Sequence, residues 1–469
     1  MSREKDLFKN TLILSIGRFV PQLMSIITLP ILTARLTKAE YGTYDLITTL
    51  IMLVIPIATL QIQSAAFRFL IDCRGDQLRS SEIISNIFIV TIPVSLVVCI
   101  GIQCAFPGLP GPVRLLVGSY FFLDTIYLTM GQIARGLGKN RDYSIGAIML
   151  SVINMLGVVL LVNFSGKGLW GVYASLTAAN AIALIFIISK TKLPAYLRMS
   201  VGSLGMIKEL LAYSWPMVPN NLSTWVLKLS DRLVITAFLG IEANAVYGVA
   251  NKVPNILSMA QSIMVMAWQE NASIAAKDTD ARKYYSKMLD FCFSFMAGAS
   301  ALLIGATPIL FRLLIRGDYA EAYFQMPVLI LAMFFFAMSS YFGGIYIAFK
   351  KTVSVGITTM AAAAVNLIID LCLVRVIGIT AGSLSTLVAY IILYVYRMID
   401  VQKFQKVNVN IQRQALQVLV ILVMLILCFL QRPLLNLINI LAGIIVFIAF
   451  NRQPIGHMLK VIRSKTEKK

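Results

Sequence analysis

The chain consists of long apolar runs that alternate with short polar segments. A helix of about 20 apolar residues is needed to cross the roughly 30 Å hydrocarbon core of a bilayer. Fourteen runs meet this requirement: 10–34, 44–66, 83–105, 114–133, 144–164, 168–189, 210–239, 244–268, 288–311, 325–349, 353–374, 378–397, 414–431 and 433–450. The connecting segments are too short for a soluble catalytic domain. The pattern predicts an all-α polytopic membrane protein with about 14 transmembrane helices.

Composition excludes several other classes of protein. The 469 residues are 58% hydrophobic and 13% charged, whereas soluble proteins average roughly 45–50% apolar and about 25% charged. An ordinary soluble enzyme, a secreted disulfide scaffold and a disordered regulator are therefore excluded. The one histidine, His457, lies in the C-terminal tail, so little histidine chemistry is expected. The six cysteines show no metal-type CxxC spacing, and we expect them to act as small apolar side chains.

The positive charges indicate the orientation of the chain. There are 41 lysines and arginines against 21 acidic residues, a net charge of +20. If both termini are cytoplasmic, 29 of the cations fall in inside segments, 8 fall in outside loops, and the others lie within helices. Cytoplasmic loops of membrane proteins carry this excess of cations. The distribution predicts a multi-pass membrane protein with both termini in the cytoplasm, and it argues against nucleic acid as a partner.

A weak internal repeat suggests two related halves. A Val-Pro pair recurs at positions 20 and 218, and a Tyr-Gly pair recurs at positions 41 and 247. An even number of helices separates the copies, so the halves would be parallel, related by a pseudo-twofold axis along the membrane normal. The predicted organisation is an N-terminal six-helix lobe over 1–200, a C-terminal six-helix lobe over 201–405, and helices 13 and 14 with a basic cytoplasmic tail over 406–469.

Charged side chains at membrane depth usually face a cavity or a partner. Four cations lie inside the apolar runs, and polar residues share their helix faces or adjoining faces: Arg18, Lys228, Arg232, Lys252, Gln22, Asn221 and Asn255. Since guanidinium and ammonium groups bind phosphate oxygens strongly, these faces predict a cationic cleft for an anionic substrate. Two structural alternatives stay open, namely that Arg18 snorkels to the membrane surface and that Lys228 pairs with Asp231 one turn away.

Acidic and amide side chains form a second group. Asp231, Asn366, Asp370 and Thr386 would all lie in the outer half of the second bundle, by depth along their helices. Two carboxylates with amide and hydroxyl oxygens suit a hard cation such as Na⁺, or one aspartate could carry a proton. The alternative is an ion pair of Asp231 with a neighbouring cation. Asp124 has no evident partner and is interpreted as a buried acid that faces protein.

The segments LTKAEYGTYDLI, SWPMVPNNLSTWVLKLSDRLVITAFLGIEANAVYGVANKV and RGDYAEAYFQMPVLIL resemble the polysaccharide-transport flippases. These proteins, which include O-antigen and capsule repeat-unit flippases, are a branch of the multidrug/oligosaccharidyl-lipid/polysaccharide exporter superfamily. The resemblance covers about residues 8–450. It implies two six-helix lobes, a central cavity and alternating access. It also implies a bacterial inner membrane as the location and an oligosaccharide on a polyprenyl diphosphate as the substrate.

The resemblance also implies a coupling site. Related lipid II flippases bind sodium through an aspartate of helix 7, an Asn-x-x-x-Asp of helix 11 and a threonine sixteen residues later. Asp231, Asn366, Asp370 and Thr386 match that pattern here. We expect no cofactor beyond a coupling Na⁺ or H⁺, no enzymatic activity, contacts with membrane lipid, and function as a monomer. The competing hypothesis is a multidrug cation antiporter of the same superfamily, which would favour an acidic cleft. A membrane glycosyltransferase or polymerase would need longer outside loops.

Overall fold

The computed structural model describes residues 2–197, 202–276, 278 and 280–452, and this part of the chain is helical with connecting turns. The predicted basic tail from residue 453, with His457, lies outside the described residues. The chain divides into two compact units, residues 1–225 and 226–469. The predicted lobes, 1–200, 201–405 and 406–469, stay a prediction.

The first unit is built from eight helices and the start of a ninth. Their bounds are α1 Ser2–Arg35, α2 Lys38–Ala58, α3 Ile62–Asp72, α4 Gln77–Ala105, α5 Gly111–Gly136, α6 Asn140–Gly157, α7 Gly168–Thr191, α8 Leu204–Ser214 and α9 Met217–Leu239. A π-helical turn, Val158–Phe164, extends α6. Helices α5 and α7 pack on each other and on α6, α5 also packs on α3 and α4, and α1 packs on α6. The first turns of α9 belong to this unit, because the Trp225 indole donates a hydrogen bond to the Thr49 carbonyl at 3.0 Å.

The second unit surrounds one helix that is mostly buried. Its elements are the rest of α9, then α10 Ile241–Ala250, α11 Pro254–Ala275, α12 Ala281–Leu314, α13 Ala320–Ala348, α14 Thr352–Ile377, α15 Thr380–Val401, α16 Ile411–Phe429 and α17 Pro433–Phe450. Helix α13 contacts α10, α11, α12, α14, α15 and α16. Gly344 permits the contact of α13 with α11, because a Cβ atom at this position would lie 2.5 Å from the Trp268 ring of α11.

The protein is a multi-pass membrane protein. Among the described residues, twelve helices are long and apolar enough to cross a bilayer, by length and composition. Helices α9 and α11 have 23 and 22 residues but are not among the twelve. Helix α9 carries Lys228, Asp231 and Arg232 within about one turn, which lowers its hydropathy. The predicted total of fourteen spans stays a prediction. All six cysteines are free thiols.

Three predicted runs are interrupted, so single continuous helices over 44–66, 210–239 and 244–268 are wrong. The first breaks after Ala58, where Leu60 and Gln61 take left-handed φ angles of 47° and 58°. There the Thr59 hydroxyl donates to the Ile55 carbonyl at 2.7 Å, which stabilises the turn. The other two breaks contain proline, at residue 216 and at the start of α11. Proline lacks the N–H that a continuous helix requires.

Candidate functional site

Helix α9 places three charged residues at one level of the second unit. Asp231 is 2% exposed and Arg232 is 6% exposed, so both side chains are enclosed by protein. Lys228 is more exposed, and its ammonium lies 4.5 Å from the centre of the Phe336 ring. A cation over an aromatic face is stabilised by the ring quadrupole. The contact with Phe336, and not a direct ion pair with Asp231, therefore orders the Lys228 side chain.

A cavity of about 140 Å³ opens beside these residues. Five helices and the turn after α10 contribute its lining, which mixes polar and apolar side chains: Lys228, Leu229, Asp231, Arg232, Tyr247, Asn251, Asn255, Ser258, Leu329, Met333, Thr386 and Tyr390. The cavity brings together five residues that the sequence assigned to two separate roles. Two are cations, one is an amide of the predicted substrate site, and two belong to the predicted coupling site. Substrate-type and coupling-type side chains therefore share one chamber within this unit.

The carboxylate of Asp231 is held by hydroxyl donors. The Tyr247 hydroxyl donates to Asp231 Oδ2 at 2.6 Å, and the Thr386 hydroxyl donates to the same oxygen at 2.7 Å. Hydrogen bonds to an ionised acceptor are shorter and stronger than neutral ones. Helices α9, α10 and α15 are thus tied together at one carboxylate oxygen.

Asn366 of α14 completes this arrangement on the other carboxylate oxygen. In the amide orientation that satisfies both of its polar atoms, its nitrogen donates to Asp231 Oδ1 at 3.0 Å. Its oxygen then accepts from the Thr386 backbone N–H at 3.1 Å and from the Ser385 hydroxyl at 3.3 Å. The structure therefore brings Asp231, Asn366 and Thr386 together, and their role as a coupling site stays a prediction.

Asp370 lies one turn beyond Asn366 and differs from Asp231 in its surroundings. Its side chain is completely buried, and neither carboxyl oxygen has a hydrogen-bond partner among the described residues. It lies near enough to Asp231 for the two charges to interact. A carboxylate at membrane depth with no donor and no cation is costly. This acid is therefore the member of the group that most needs a bound cation or a proton.

The other predicted residues of the cationic cleft are distributed over both units. Lys252 is half-buried in the turn between α10 and α11, outside the residues that line the cavity. Arg18 and Gln22 are exposed on α1, and the Asn221 amide donates to the Met217 carbonyl of its own helix at 3.1 Å. That all these residues line one shared cleft stays a prediction.

Asp124 lies at the middle of α5 and is half-buried. It makes no hydrogen bond or ion pair among the described residues. Its electrostatic neighbours are Tyr120 and Tyr127, one turn away on either side. The interpretation of Asp124 as an acid that faces protein stays a prediction.

Sequence reasoning missed two residues of the second unit. In the sequence, Tyr247 stands out only as part of a repeated Tyr-Gly pair, and a tyrosine in an apolar segment is usually a core residue. Arg397 was counted among the loop cations because it lies at the end of an apolar run. It is 4% exposed and bonds only to neutral oxygens, namely the Thr358 and Thr359 hydroxyls and the Val355 and Ser339 carbonyls, at 2.9–3.2 Å.

Arg397 therefore joins α13, α14 and α15. In the sequence, the signal that could have identified Arg397 is the excess of cations over acids in the apolar runs. That excess does not show which oxygens the guanidinium binds.

An all-helical membrane fold with a polar, charged chamber in its second half is typical of transporters. A family model described as "polysaccharide biosynthesis protein" matches residues 7–269, and the chain belongs to this family. No curated protein matches the chain.

Solved structures share the fold. The lipid II flippase MurJ in an inward closed conformation has a TM-score of 0.73 at 15% identity, covering 95% of this chain and all of that one. An inward-facing MATE multidrug resistance transporter of the MOP superfamily has a TM-score of 0.69 at 14% identity, covering 83% and 98%. The MATE multidrug transporter DinF-BH has a TM-score of 0.61 at 15% identity, covering 85% and 95%. The fold is thus the MurJ/MATE fold.

Proposed function

We propose that this protein is a flippase for lipid-linked oligosaccharide in cell-surface polysaccharide synthesis. It moves a polyprenyl-diphosphate-linked glycan from the cytoplasmic to the outer leaflet by alternating access. Membership of the polysaccharide biosynthesis family supports the substrate class, and the fold shared with a lipid II flippase supports the mode of transport. The distribution of cations along the chain supports an orientation with both termini in the cytoplasm.

One observation carries the proposal, namely the chamber lined by Lys228 and Arg232. Two cations at membrane depth can bind the diphosphate oxygens through charge-assisted hydrogen bonds. The amides of Asn251 and Asn255 and the hydroxyl of Ser258 line the same chamber, and such groups can exchange hydrogen bonds with a sugar. A chamber with this lining suits an anionic, polar headgroup better than an apolar one.

Coupling follows from the proximity of the acids to these cations. Asp231 and Arg232 are consecutive in α9 and both line the chamber. A cation or proton taken up at Asp231 or Asp370 changes the electrostatic potential at Arg232, so ion binding and diphosphate binding influence each other reciprocally. The donor set of carboxylate, amide and hydroxyl oxygens suits a hard monovalent cation such as Na⁺, and the unsatisfied Asp370 equally suits a proton.

The test of the substrate site is complementation of a flippase-deficient strain with Arg232→Gln. Arg375→Gln is the matched control, because Arg375 is an exposed arginine of the same unit that lies 4.9 Å from the Phe238 ring centre. We expect Arg232→Gln to abolish surface polymer at normal membrane expression, while Arg375→Gln supports it. Full polymer with Arg232→Gln would contradict the proposed diphosphate-binding role.

The test of coupling is transport of a fluorescent lipid-linked sugar in proteoliposomes under imposed Na⁺ or pH gradients. The wild type is expected to respond to one of the two gradients. Asp370→Asn keeps the shape of the side chain but removes the ionisable group, so its transport should no longer depend on that gradient. An unchanged gradient response in Asp370→Asn would exclude this acid as the coupling group.

Multidrug export is the competing function, since two of the similar structures are multidrug transporters. Cationic drugs are repelled by a chamber that contains Lys228 and Arg232, so we expect no drug resistance on expression. A susceptibility panel in a pump-deficient strain distinguishes the two. Resistance to cationic drugs without polymer complementation would favour the multidrug pump.

A further inference from the structure

An apolar groove of about 390 Å³ lies between α11 and α12 in the second unit. Its volume is in the range of small-molecule binding sites. Met264 and Trp268 of α11 and Met288 of α12 are among the side chains that line it. Two other lining residues, Ile263 and Phe291, are 51% and 40% exposed, and at membrane depth such apolar side chains face hydrocarbon. The groove is therefore open to the lipid around the protein.

The floor of the groove is held by hydrogen bonds and stacked rings. The Trp268 indole donates to the Tyr341 carbonyl at 2.8 Å, and the two rings stack with centres 4.5 Å apart. The Tyr341 hydroxyl donates to the Tyr285 carbonyl at 2.6 Å, and the Tyr285 hydroxyl donates to the Ala272 carbonyl at 2.8 Å. These bonds tie α11, α12 and α13 together behind the groove. A preformed groove binds a chain at a lower cost in ordering than a flexible surface does.

Helix α11 separates this groove from the charged chamber. Asn255 and Ser258 of α11 line the chamber, whereas Met264 and Trp268 line the groove. Met264 follows Asn255 by nine residues, about two and a half helical turns, so the two side chains point to opposite sides of the helix. An apolar chain in the groove therefore belongs to a different molecule from a headgroup in the chamber.

Two lysines lie at one end of the groove. Lys287 is one turn of α12 from both Tyr284 and Phe291, which line the groove, so their side chains are neighbours on the helix surface. Lys283 lies one turn before Lys287, and both lysines are exposed. Neither forms an ion pair with the described residues. This end of α12 is the one that the cation distribution places in the cytoplasm.

We infer that the groove binds an anionic phospholipid of the cytoplasmic leaflet, with one acyl chain along Met264, Trp268 and Met288 and the phosphate at Lys283 and Lys287. Apolar lining with cations at the cytoplasmic end is complementary to such a lipid, because anionic headgroups attract lysines at that surface. Methionine and aromatic side chains adapt to the shape of an apolar chain. The site is independent of the proposed transport substrate, since the body of α11 lies between the two.

The test is quenching of Trp268 fluorescence by lipids that carry bromine on their acyl chains. Bromine quenches only nearby tryptophans, and Trp268 is one of four in the chain, so the signal of Trp268→Phe is subtracted. The purified full-length protein is placed in vesicles of phosphatidylcholine. Brominated phosphatidylglycerol and brominated phosphatidylcholine are then titrated separately. Two lysines near the headgroup should favour phosphatidylglycerol by about tenfold or more in the mole fraction that quenches Trp268.

One variant tests the cations at the end of the groove. Lys287→Gln removes one positive charge and should weaken the preference for phosphatidylglycerol about fivefold. Lys350→Gln is the matched control, because Lys350 is an exposed lysine after the predicted cytoplasmic end of α13 in the same unit. Its preference should equal that of the wild type. Equal preference in Lys287→Gln and the wild type overturns the placement of the phosphate.

A second variant tests the groove itself. Ala260 lines the groove, and Ala260→Phe places a ring where the acyl chain lies, so both brominated lipids should lose most of their quenching. Ala361→Phe, at an exposed position of α14, is the matched control and should leave the quenching unchanged. Wild-type quenching in Ala260→Phe overturns the placement of the chain. If Ala260→Phe does not fold, Lys287→Gln still decides, because Lys287 is exposed.

The remaining outcomes concern the identity of the lipid. Equal quenching by the two brominated lipids in the wild type overturns the anionic headgroup. A polyprenyl phosphate that displaces brominated phosphatidylglycerol at a tenfold lower mole fraction than unbrominated phosphatidylglycerol assigns the groove to the chain of the transport substrate, and also overturns the inference. Each of these results leaves the flippase proposal intact, because complementation of the deficient strain by the wild type tests that proposal separately.

Discussion

Replacing Tyr247 with phenylalanine removes one hydrogen bond from a buried carboxylate and leaves the ring in place. Tyr247 and Asp231 are both 2% exposed, and the bond between them is 2.6 Å long. A hydrogen bond to a charged acceptor contributes about 1.5–3 kcal/mol. Because Thr386 and Asn366 still donate to Asp231, the carboxylate is not left without donors. We therefore expect a loss of about 2 kcal/mol in the free energy of unfolding.

Tyr390→Phe is the matched control for this substitution. Tyr390 is also 2% exposed and lines the same chamber. Its hydroxyl meets only the neutral Leu227 carbonyl, at 3.5 Å, which is the outer limit of a hydrogen bond. Its removal should cost about 0.5 kcal/mol or less. Both variants remove a tyrosine hydroxyl from one chamber, so the contrast compares a short bond to a carboxylate with a marginal bond to a neutral carbonyl.

The assay is equilibrium unfolding of the purified variants in mixed micelles at neutral pH. A greater loss for Tyr247→Phe than for Tyr390→Phe indicates that the short bond from Tyr247 to Asp231 stabilises the fold. Equal losses in the two variants would refute this reasoning, because the bond to the carboxylate would then contribute no more than the marginal bond of Tyr390.

Two further substitutions test helix packing, one within each unit. Arg397→Lys keeps the positive charge, but a lysine cannot reach all four neutral oxygens, so we expect a loss of about 2 kcal/mol in unfolding free energy. Stability equal to that of the wild type would contradict the bonding described for Arg397. Gly17→Ala places a methyl group against Ser144 and should cost about 1–3 kcal/mol, measured by the same unfolding assay. Gly101→Ala on α4 meets no atom within 4 Å and should be neutral or slightly stabilising, so equal effects at the two glycines would argue against close packing of α1 on α6.

Hydropathy alone was sufficient to predict the class of fold. Apolar runs of about 20 residues become membrane helices because the bilayer offers no other partner for the backbone. Twelve of the runs reappear as helices that are long and apolar enough to span. Hydropathy could not find the breaks after Ala58 or before Pro254, because apolar residues continue through both. A turn there depends on local hydroxyl bonds and on proline.

The residues of the second-unit site were partly predictable. Asp231, Asn366 and Thr386 were grouped from their depth along three helices and from a family pattern, and the structure places them in contact. Tyr247 was not grouped with them, since a tyrosine in an apolar segment usually belongs to the core. Arg397 was assigned to a loop because it lies at the end of an apolar run, where a cation normally reaches water.

The order of amino acids by itself determined that the chain is helical, crosses a membrane many times and carries charge at membrane depth. These properties follow from the local free energy of transferring side chains and backbone into hydrocarbon. Tertiary packing alone decided which charges meet. Asp231 accepts hydrogen bonds from three donors on α10, α14 and α15, whereas Asp370 has no donor in the described part of the chain. Contacts between helices depend on rotation and depth, which sequence periodicity leaves undetermined.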